Sequence, residues 1–340
     1  MGFALLLAGC SPGGRGGRED VLTIGAYSVV REAVHDGLIP AFTAKWRAQT
    51  GRECRFEESY NASGAQSRAI AAGFDADIAI LSLEDDVANL VKAGLVAETW
   101  KAGPSKGMVT RSLVVIGVRP GNPKAIADWP DLARPGVGVL YPDPKTSGGA
   151  RWNINALYGA GLLREGQPPD PAAARDLLTR VQANVVNMDS SGRQSLGTFE
   201  RGTGDAVVTY ENELRLRLAR GADGKGNGAA AIESVLPPRT LQIEGPAAIV
   251  DASVDRHGNR PLAAAFLDFM RSDEGQAILA RYGFRPLSAP RPPGVFTMAD
   301  LGGWTKNKAE VYGPKGVWTS IFVDRERAKA RAQAAPGGSR

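Results

Sequence analysis

Histidine and cysteine are scarce in this 340-residue chain, which has only His35 and His257, Cys10 and Cys54. Two histidines this far apart argue against a His-rich metal centre. The cysteines form neither a CxxC pair nor a zinc-ribbon spacing, and Cys54 is expected to be a buried lone thiol. The first strand lacks a following Gly-x-Gly-x-x-Gly, and there is no Walker loop, His-Glu-x-x-His or Gly-x-Ser-x-Gly. Dinucleotide, nucleotide, metalloprotease and nucleophile-elbow readings therefore lose their sequence basis. Neither histidine sits in a motif that would mark a general base, so no catalytic residue is assigned, and no cofactor. No solenoid-type repeat is present.

What the chain has is ordinary material for two soluble cores. Hydrophobic residues make up 43% and charged residues 23%, and the length fits about two domains. The net charge of +5 is compatible with an anionic partner, but the lysines and arginines are dispersed. The densest basic group, Arg325, Arg327, Lys329 and Arg331, has helical spacing and reads as a solvated helix face. No nucleic-acid-binding motif accompanies it, so no nucleic-acid partner is expected.

The first residues read as a processing segment. Phe3 to Ala8 are apolar but far short of the roughly 20 residues that span a bilayer. Leu7-Ala8-Gly9-Cys10 resembles a bacterial lipobox, although Met1-Gly2-Phe3 lacks the positive charge a signal peptide carries. The following Ser11-Pro12-Gly13-Gly14-Arg15-Gly16-Gly17 has the composition of a flexible tether. The expectation is a lipid anchor at Cys10 and a mature protein outside the cytoplasmic membrane or in the periplasm.

Beyond residue 20, strands and helices alternate. Val21–Tyr27, Asp77–Leu81, Ser112–Val118, Val137–Leu140, Asn184–Met188, Ala206–Tyr210 and Ala247–Val250 read as strands. Val30, Val34, Leu38, Phe42 and Trp46 recur at helical spacing, with Pro40 starting a second helix among them. Asp85–Leu95 and Pro261–Ala280 read as helices. Such alternation implies α/β architecture with mostly parallel sheets.

Two serine-glycine turns could hold an anion. In Asn61-Ala62-Ser63-Gly64-Ala65-Gln66, Ser63 and Gln66 fit a capping box at a helix start. Lys145-Thr146-Ser147-Gly148-Gly149-Ala150-Arg151-Trp152 opens a helix with Trp152, Ala156, Ala160 and Leu163 on one face. The first N–H groups of a helix have no internal partner, and the helix dipole makes that end positive. Glycine allows close approach and serine adds a hydroxyl donor, so an anion can be held without a cationic side chain.

The longer string Pro144-Lys145-Thr146-Ser147-Gly148-Gly149-Ala150-Arg151-Trp152-Asn153 resembles the signature of the sulfate- and thiosulfate-binding proteins of ABC importers. Further similar landmarks are Ala41–Trp46, Val118–Lys124, Asp128-Trp129, Asp131-Leu132, Phe199–Asp205, Tyr210–Glu213, Ser272–Gln276, Tyr282–Pro286, Phe296-Thr297 and Gly302–Trp304. The resemblance covers nearly the whole chain beyond the tether. It implies a two-lobed periplasmic binding protein fold, each lobe a mostly parallel sheet flanked by helices, with the cleft at a two-strand hinge. The implied division is 1–20 signal remnant and linker, 21–112 with 246–325 the first lobe, 113–245 the second, and 326–340 a tail. Crossing strands are expected near Arg111–Val118 and Leu241–Ala248.

The resemblance also implies a site. Ser63 and Ser147 match hydroxyl donors, and Gly148, Gly149 and Gly192 match backbone donors. Ser28 stands where the family has aspartate acting through its N–H. Tyr210 stands where it has a tryptophan that reaches the ligand. Arg151 and Arg193 would lie behind these residues, with surface charge or salt bridging as the alternative. The implied ligand is sulfate or thiosulfate, and the implied partners are a membrane permease and its ATPase, with the binding protein a monomer. A site made wholly of donors suits sulfate, which only accepts hydrogen bonds, and leaves the proton of phosphate unpaired. Asp189 is the one nearby acid that could alter this. The other readings are a receptor for molybdate, phosphate or a related tetrahedral oxyanion, and an enzyme on the same two-lobed scaffold.

Overall fold

A computed structural model describes residues 20–222 and 232–334; Cys10 and the tether lie outside the described residues. The first block begins with β1 (Asp20–Tyr27), whose Leu22, Ile24 and Ala26 are fully buried. A 3-10 turn over Ser28–Val30 and a π-helical turn over Ala33–Leu38 lead into α1 (Ile39–Thr50). Pro40 sits in the first turn of α1, where a missing N–H costs nothing. β2 (Cys54–Asn61), α2 (Ser63–Ala71), β3 (Ile78–Ile80) and α3 (Glu84–Lys92) complete this block, and Cys54 is buried as expected.

β4 (Met108–Val118) crosses to a second block: β5 (Val139–Leu140), α4 (Gly148–Leu162), α5 (Pro171–Ala183), β6 (Val185–Asn187), α6 (Gly192–Glu200), β7 (Ala206–Tyr210), α7 (Glu211–Ala222) and β8 (Glu233–Val235). β9 (Thr240–Ile249) runs back to α8 (Asp251–His257), α9 (Arg260–Arg271) and α10 (Asp273–Arg281). Pro261–Ala280 is thus two helices, because Ser272 turns to extended backbone (φ −66°, ψ 160°) and its side chain caps the Gly275 N–H. β10 (Val295–Phe296), α11 (Gly303–Tyr312) and α12 (Val317–Ala334) follow.

The strand order is β2-β1-β3-β9-β4-β7-β5-β6, with β10 beside β9 and β8 beside β4. β2, β1 and β3 are mutually parallel, and so are β7, β5 and β6. Between the two sets, β9 and β4 pair antiparallel with each other and with their flanking strands. This is a two-lobed α/β architecture joined by two long strands. In open parallel sheets, ligands bind beyond the carboxyl ends of the strands. Both sets end on short segments rich in serine and glycine.

The chain crosses a third time between α10 and β10. β10 pairs with β9 at Thr240 and Leu241, Trp304 packs edge-on against Trp152 of α4 at 4.9 Å, and the Arg325 guanidinium reaches the Val185 carbonyl of β6. Residues 295–325, which the sequence reading places with the first lobe, therefore pack on the second. Gly159 explains the fit: a Cβ there would lie 2.2 Å from the Phe296 ring, so only glycine admits this crossing. Arg325 is accordingly anchored, whereas Arg327 and Arg331 are exposed as a solvated face requires.

A charged cluster ties α8 to the first sheet. His257 Nδ1 lies 2.7 Å from Asp77 Oδ1 and its Nε2 lies 3.0 Å from Asp75 Oδ2. Asp77, nearly fully buried, also accepts the Thr23 N–H of β1 at 2.8 Å. Both ring nitrogens can donate only in the imidazolium, so the hydrogen bond to Asp77, opposed by partial burial, raises the His257 pKa above 6.5. Its stabilising contribution is complete below the unfolded value and is lost as pH rises through the folded one. We expect the thermal stability advantage of wild type over His257→Ala to shrink between about pH 6 and 9. Melting curves that keep a constant difference over that range would refute the assignment.

Candidate anion-binding site

Three helices and one turn start at the same place. The turn at Ser28 follows β1, α2 follows β2, α4 follows β5 and α6 follows β6. Their first residues surround a small cavity between the lobes. Tyr27, Ser28, Ser63 and Ser82 line it from the first lobe; Ser147, Gly149, Asn153, Ser191, Gly192, Thr209 and Tyr210 line it from the second. No lysine, arginine, histidine or carboxylate is among the lining residues. The positive character of the cavity comes from unpaired N–H groups and helix dipoles.

Of the residues singled out from the sequence, Ser28, Ser63, Ser147, Gly149, Gly192 and Tyr210 share this wall. Gly148 lies just behind it, where a Cβ would be 3.1 Å from Ser82 and Leu83. Ser147 is the N-cap of α4, is buried and makes no side-chain capping bond.

Ser63 differs from expectation. The N-cap of α2 is Ala62, Ser63 is the first helical residue, and no capping box forms. The Ser63 hydroxyl donates to Asp86 Oδ2 at 2.5 Å and accepts the Ser82 N–H at 2.8 Å. The Gln66 amide oxygen accepts from Asn61 at 2.8 Å. The single hydroxyl hydrogen of Ser63 is therefore given to Asp86. Asp86 is buried, and burial raises its pKa against the pull of the Ser63 hydrogen bond and Arg151. This is the acid the sequence reading missed. It hides in Glu84-Asp85-Asp86, which looks like an ordinary acidic first turn complementing a helix dipole. Asp189, the acid named instead, is turned toward Asn187 and Thr198 and does not line the cavity.

Arg151 and Arg193 stand behind the wall and join the lobes. Arg193 makes a two-pronged pair with Glu32 at 2.7 and 2.9 Å and holds Glu213 at 2.8 Å. Burial works against the Arg193 charge, but Glu213 and Glu32 outweigh it and hold the guanidinium above its ordinary pKa. Arg151 reaches Asp85 at 3.3 Å, and Lys308 reaches the same carboxylate at 3.1 Å. Neither arginine is among the residues that line the cavity.

Tyr210 closes the far side. Burial, with Tyr27 adding to it, puts its phenol well above the ordinary tyrosine value, so it is a neutral hydroxyl. It shares a 2.7 Å hydrogen bond with Ser82 across the lobes. Trp152 donates to the carbonyl and hydroxyl oxygens of Ser82 at 2.9 and 3.1 Å. Ser82 and Asn153 are wall residues the sequence did not announce. Asn153 offered one signal, a polar side chain beside the apolar face of α4.

This arrangement, two α/β lobes with helix starts converging on a cleft, is that of a two-lobed solute-binding protein. The family model for bacterial extracellular solute-binding proteins matches residues 22–285, and the chain belongs to that family. It is 38% identical over 323 residues to a sulfate-binding protein of Synechococcus elongatus, covering 92% of this chain and 89% of the relative. It is 34% identical over 286 residues to a thiosulfate-binding protein of Pseudomonas aeruginosa, covering 83% of each. Among solved structures, the sulfate-binding protein SubI from Mycobacterium tuberculosis H37Rv superposes with a TM-score of 0.76 at 36% identity, covering 86% of this chain and 99% of that one. Among the described residues, no helix is long and apolar enough to cross a membrane.

Proposed function

We propose that this protein captures sulfate outside the cytoplasmic membrane and delivers it to an ABC importer. The observation that carries the reading is the cavity wall, with helix starts from both lobes, serine hydroxyls and no charged side chain. Such a wall suits a small dianion that only accepts hydrogen bonds. Relatives named for sulfate and thiosulfate binding support the same ligand class. The wall holds no thiol, imidazole or carboxylate to act as nucleophile or base, which favours capture without chemistry.

In this reading Ser28, Ser63, Gly148, Gly149 and Gly192 give backbone N–H groups, and Ser147 and Tyr210 give hydroxyls. β4 and β9 form the hinge, dividing the chain near residues 112 and 246, and the lobes close on the ligand. The closed monomer docks on a permease coupled to an ATPase, and a lipid on Cys10 holds it at the membrane.

Titration calorimetry with sulfate, thiosulfate, molybdate and phosphate tests the reading. Sulfate is expected to bind at least about 10-fold tighter than phosphate, whose proton meets no carboxylate on the wall. Equal affinity for phosphate would sink the sulfate assignment.

A further inference from the structure

One residue of the first lobe is held by two side chains of the second. Ser82 follows β3 and is 1% exposed. The Trp152 indole of α4 shares its single hydrogen between the Ser82 carbonyl at 2.9 Å and the Ser82 hydroxyl oxygen at 3.1 Å. The hydroxyl of Tyr210, the last residue of β7, lies 2.7 Å from that same Ser82 hydroxyl. Gly148 makes room for the junction, since a Cβ there would stand 3.1 Å from Ser82 Oγ.

Counting hydrogens gives the junction a direction. The indole can only donate, so it occupies one acceptor position of Ser82 Oγ. The two hydroxyls carry one hydrogen each, and either can donate to the other. The Tyr210 hydroxyl also edges the cavity. It is 3.6 Å from the point where a Gly149 Cβ would stand, and Ser147 Oγ is 3.3 Å from that point. If Tyr210 donated to Ser82, it would turn lone pairs toward a bound dianion. If Ser82 donates to Tyr210, the Tyr210 hydrogen is released toward the cavity. The donors then run from Trp152 to Ser82 to Tyr210 to the anion, and each bond in such a chain polarises the next.

We propose that Ser82 is a positioning residue that acts through Tyr210. When the lobes meet, it fills the acceptor position of the Tyr210 hydroxyl and thereby makes that hydroxyl a donor to the anion. The chain begins on the second lobe, passes through the first and returns to the second, so it is complete only in the closed protein. With the lobes apart, water serves both hydroxyls and neither direction is imposed. The inference rests on the oxyanion reading above and adds to it a residue that couples closure to ligand binding.

A double-mutant cycle read by calorimetric titration with sulfate tests it. Tyr210→Phe removes a donor to a charged ligand and is expected to weaken sulfate by about 10- to 100-fold. Ser82→Ala removes a neutral bond behind that donor and is expected to weaken sulfate by about 3- to 10-fold. In the Tyr210→Phe background, Ser82→Ala is expected to cost no more than about 2-fold, because the group it acts through is already gone. Losses that multiply in the double variant, or an unchanged affinity in Ser82→Ala, overturn the proposal. If wild type binds no sulfate, the oxyanion reading itself has failed. Both substitutions keep the carbon framework, and Trp152 retains the Ser82 carbonyl. Should a variant still not fold, a high-resolution crystal structure of wild type with sulfate decides. A Tyr210 hydroxyl bonded to both Ser82 Oγ and a sulfate oxygen supports the chain. A Tyr210 hydroxyl bonded to Ser82 alone, or a Ser82 hydroxyl bonded directly to sulfate, overturns it.

Discussion

Alanine in place of Gly149 is expected to weaken sulfate binding by about 100-fold while leaving the fold intact. A Cβ at Gly149 would lie 3.3 Å from Ser147 Oγ and 3.5 Å from the Tyr210 ring. Those contacts are tight but tolerable. Alanine also favours the helix that starts here by up to about 1 kcal/mol over glycine. The methyl, however, occupies the wall of the cavity and keeps an anion from the first N–H groups of α4. Hydrogen bonds to a charged group are worth about 1.5–3 kcal/mol each, so losing one or two accounts for a factor of about 10 to 100 or more. Thermal melting should show wild-type stability or slightly better, and calorimetry should show the loss. Gly192→Ala is the informative contrast, because a Cβ there meets no atom within 4 Å. A Gly149→Ala protein that binds sulfate like wild type would remove the start of α4 from the site.

The parts of this architecture that are legible in sequence are those written as apolar runs. β1, β4 and β7 are buried along most of their length, and their periodicity identifies them. β2 escapes because Cys54-Arg-Phe-Glu-Glu-Ser-Tyr-Asn61 is an edge strand with one face in solvent, and its charges mask the alternation. The break at Ser272 escapes because the apolar stripe continues through it. The third crossing between the lobes is invisible because no periodicity reports which neighbour an amphipathic helix chooses.

The site divides in the same way. Ser147, Gly149 and Gly192 sit in local motifs whose chemistry can be read from adjacent residues. Ser82, Asn153 and Asp86 cannot be read so, since each acquires its place through a partner distant in sequence. Asp86 meets Ser63 only after β3 has docked beside β1, and Ser82 meets Tyr210 only when the two lobes come together. Packing within the first lobe redirects Ser63: a residue spaced as a helix cap gives its hydroxyl to a buried carboxylate instead.

Replacing Arg193 with methionine is expected to cause the largest loss of stability. Glu213 is nearly fully buried and relies on Arg193 at 2.8 Å, with Arg217 more distant at 3.4 Å. Removing one partner of a buried pair strands a charge, which typically costs about 3–5 kcal/mol. Burial already raises the Glu213 pKa, with Arg193 the main force holding it down. Without Arg193 it rises further, so the folded variant holds a proton that the unfolded chain releases. For a carboxyl raised in the fold, stability is greatest below the unfolded pKa and falls as pH climbs through the folded value. The Arg193→Met deficit should therefore be larger at about pH 8 than at about pH 5 in urea denaturation. Glu32→Gln separates the two roles of this arginine. It breaks the pairing across the cleft but keeps Arg193 on Glu213, so it should preserve stability and weaken sulfate by favouring the open state. A deficit in Arg193→Met that is small or independent of pH would show that Arg217 alone neutralises Glu213.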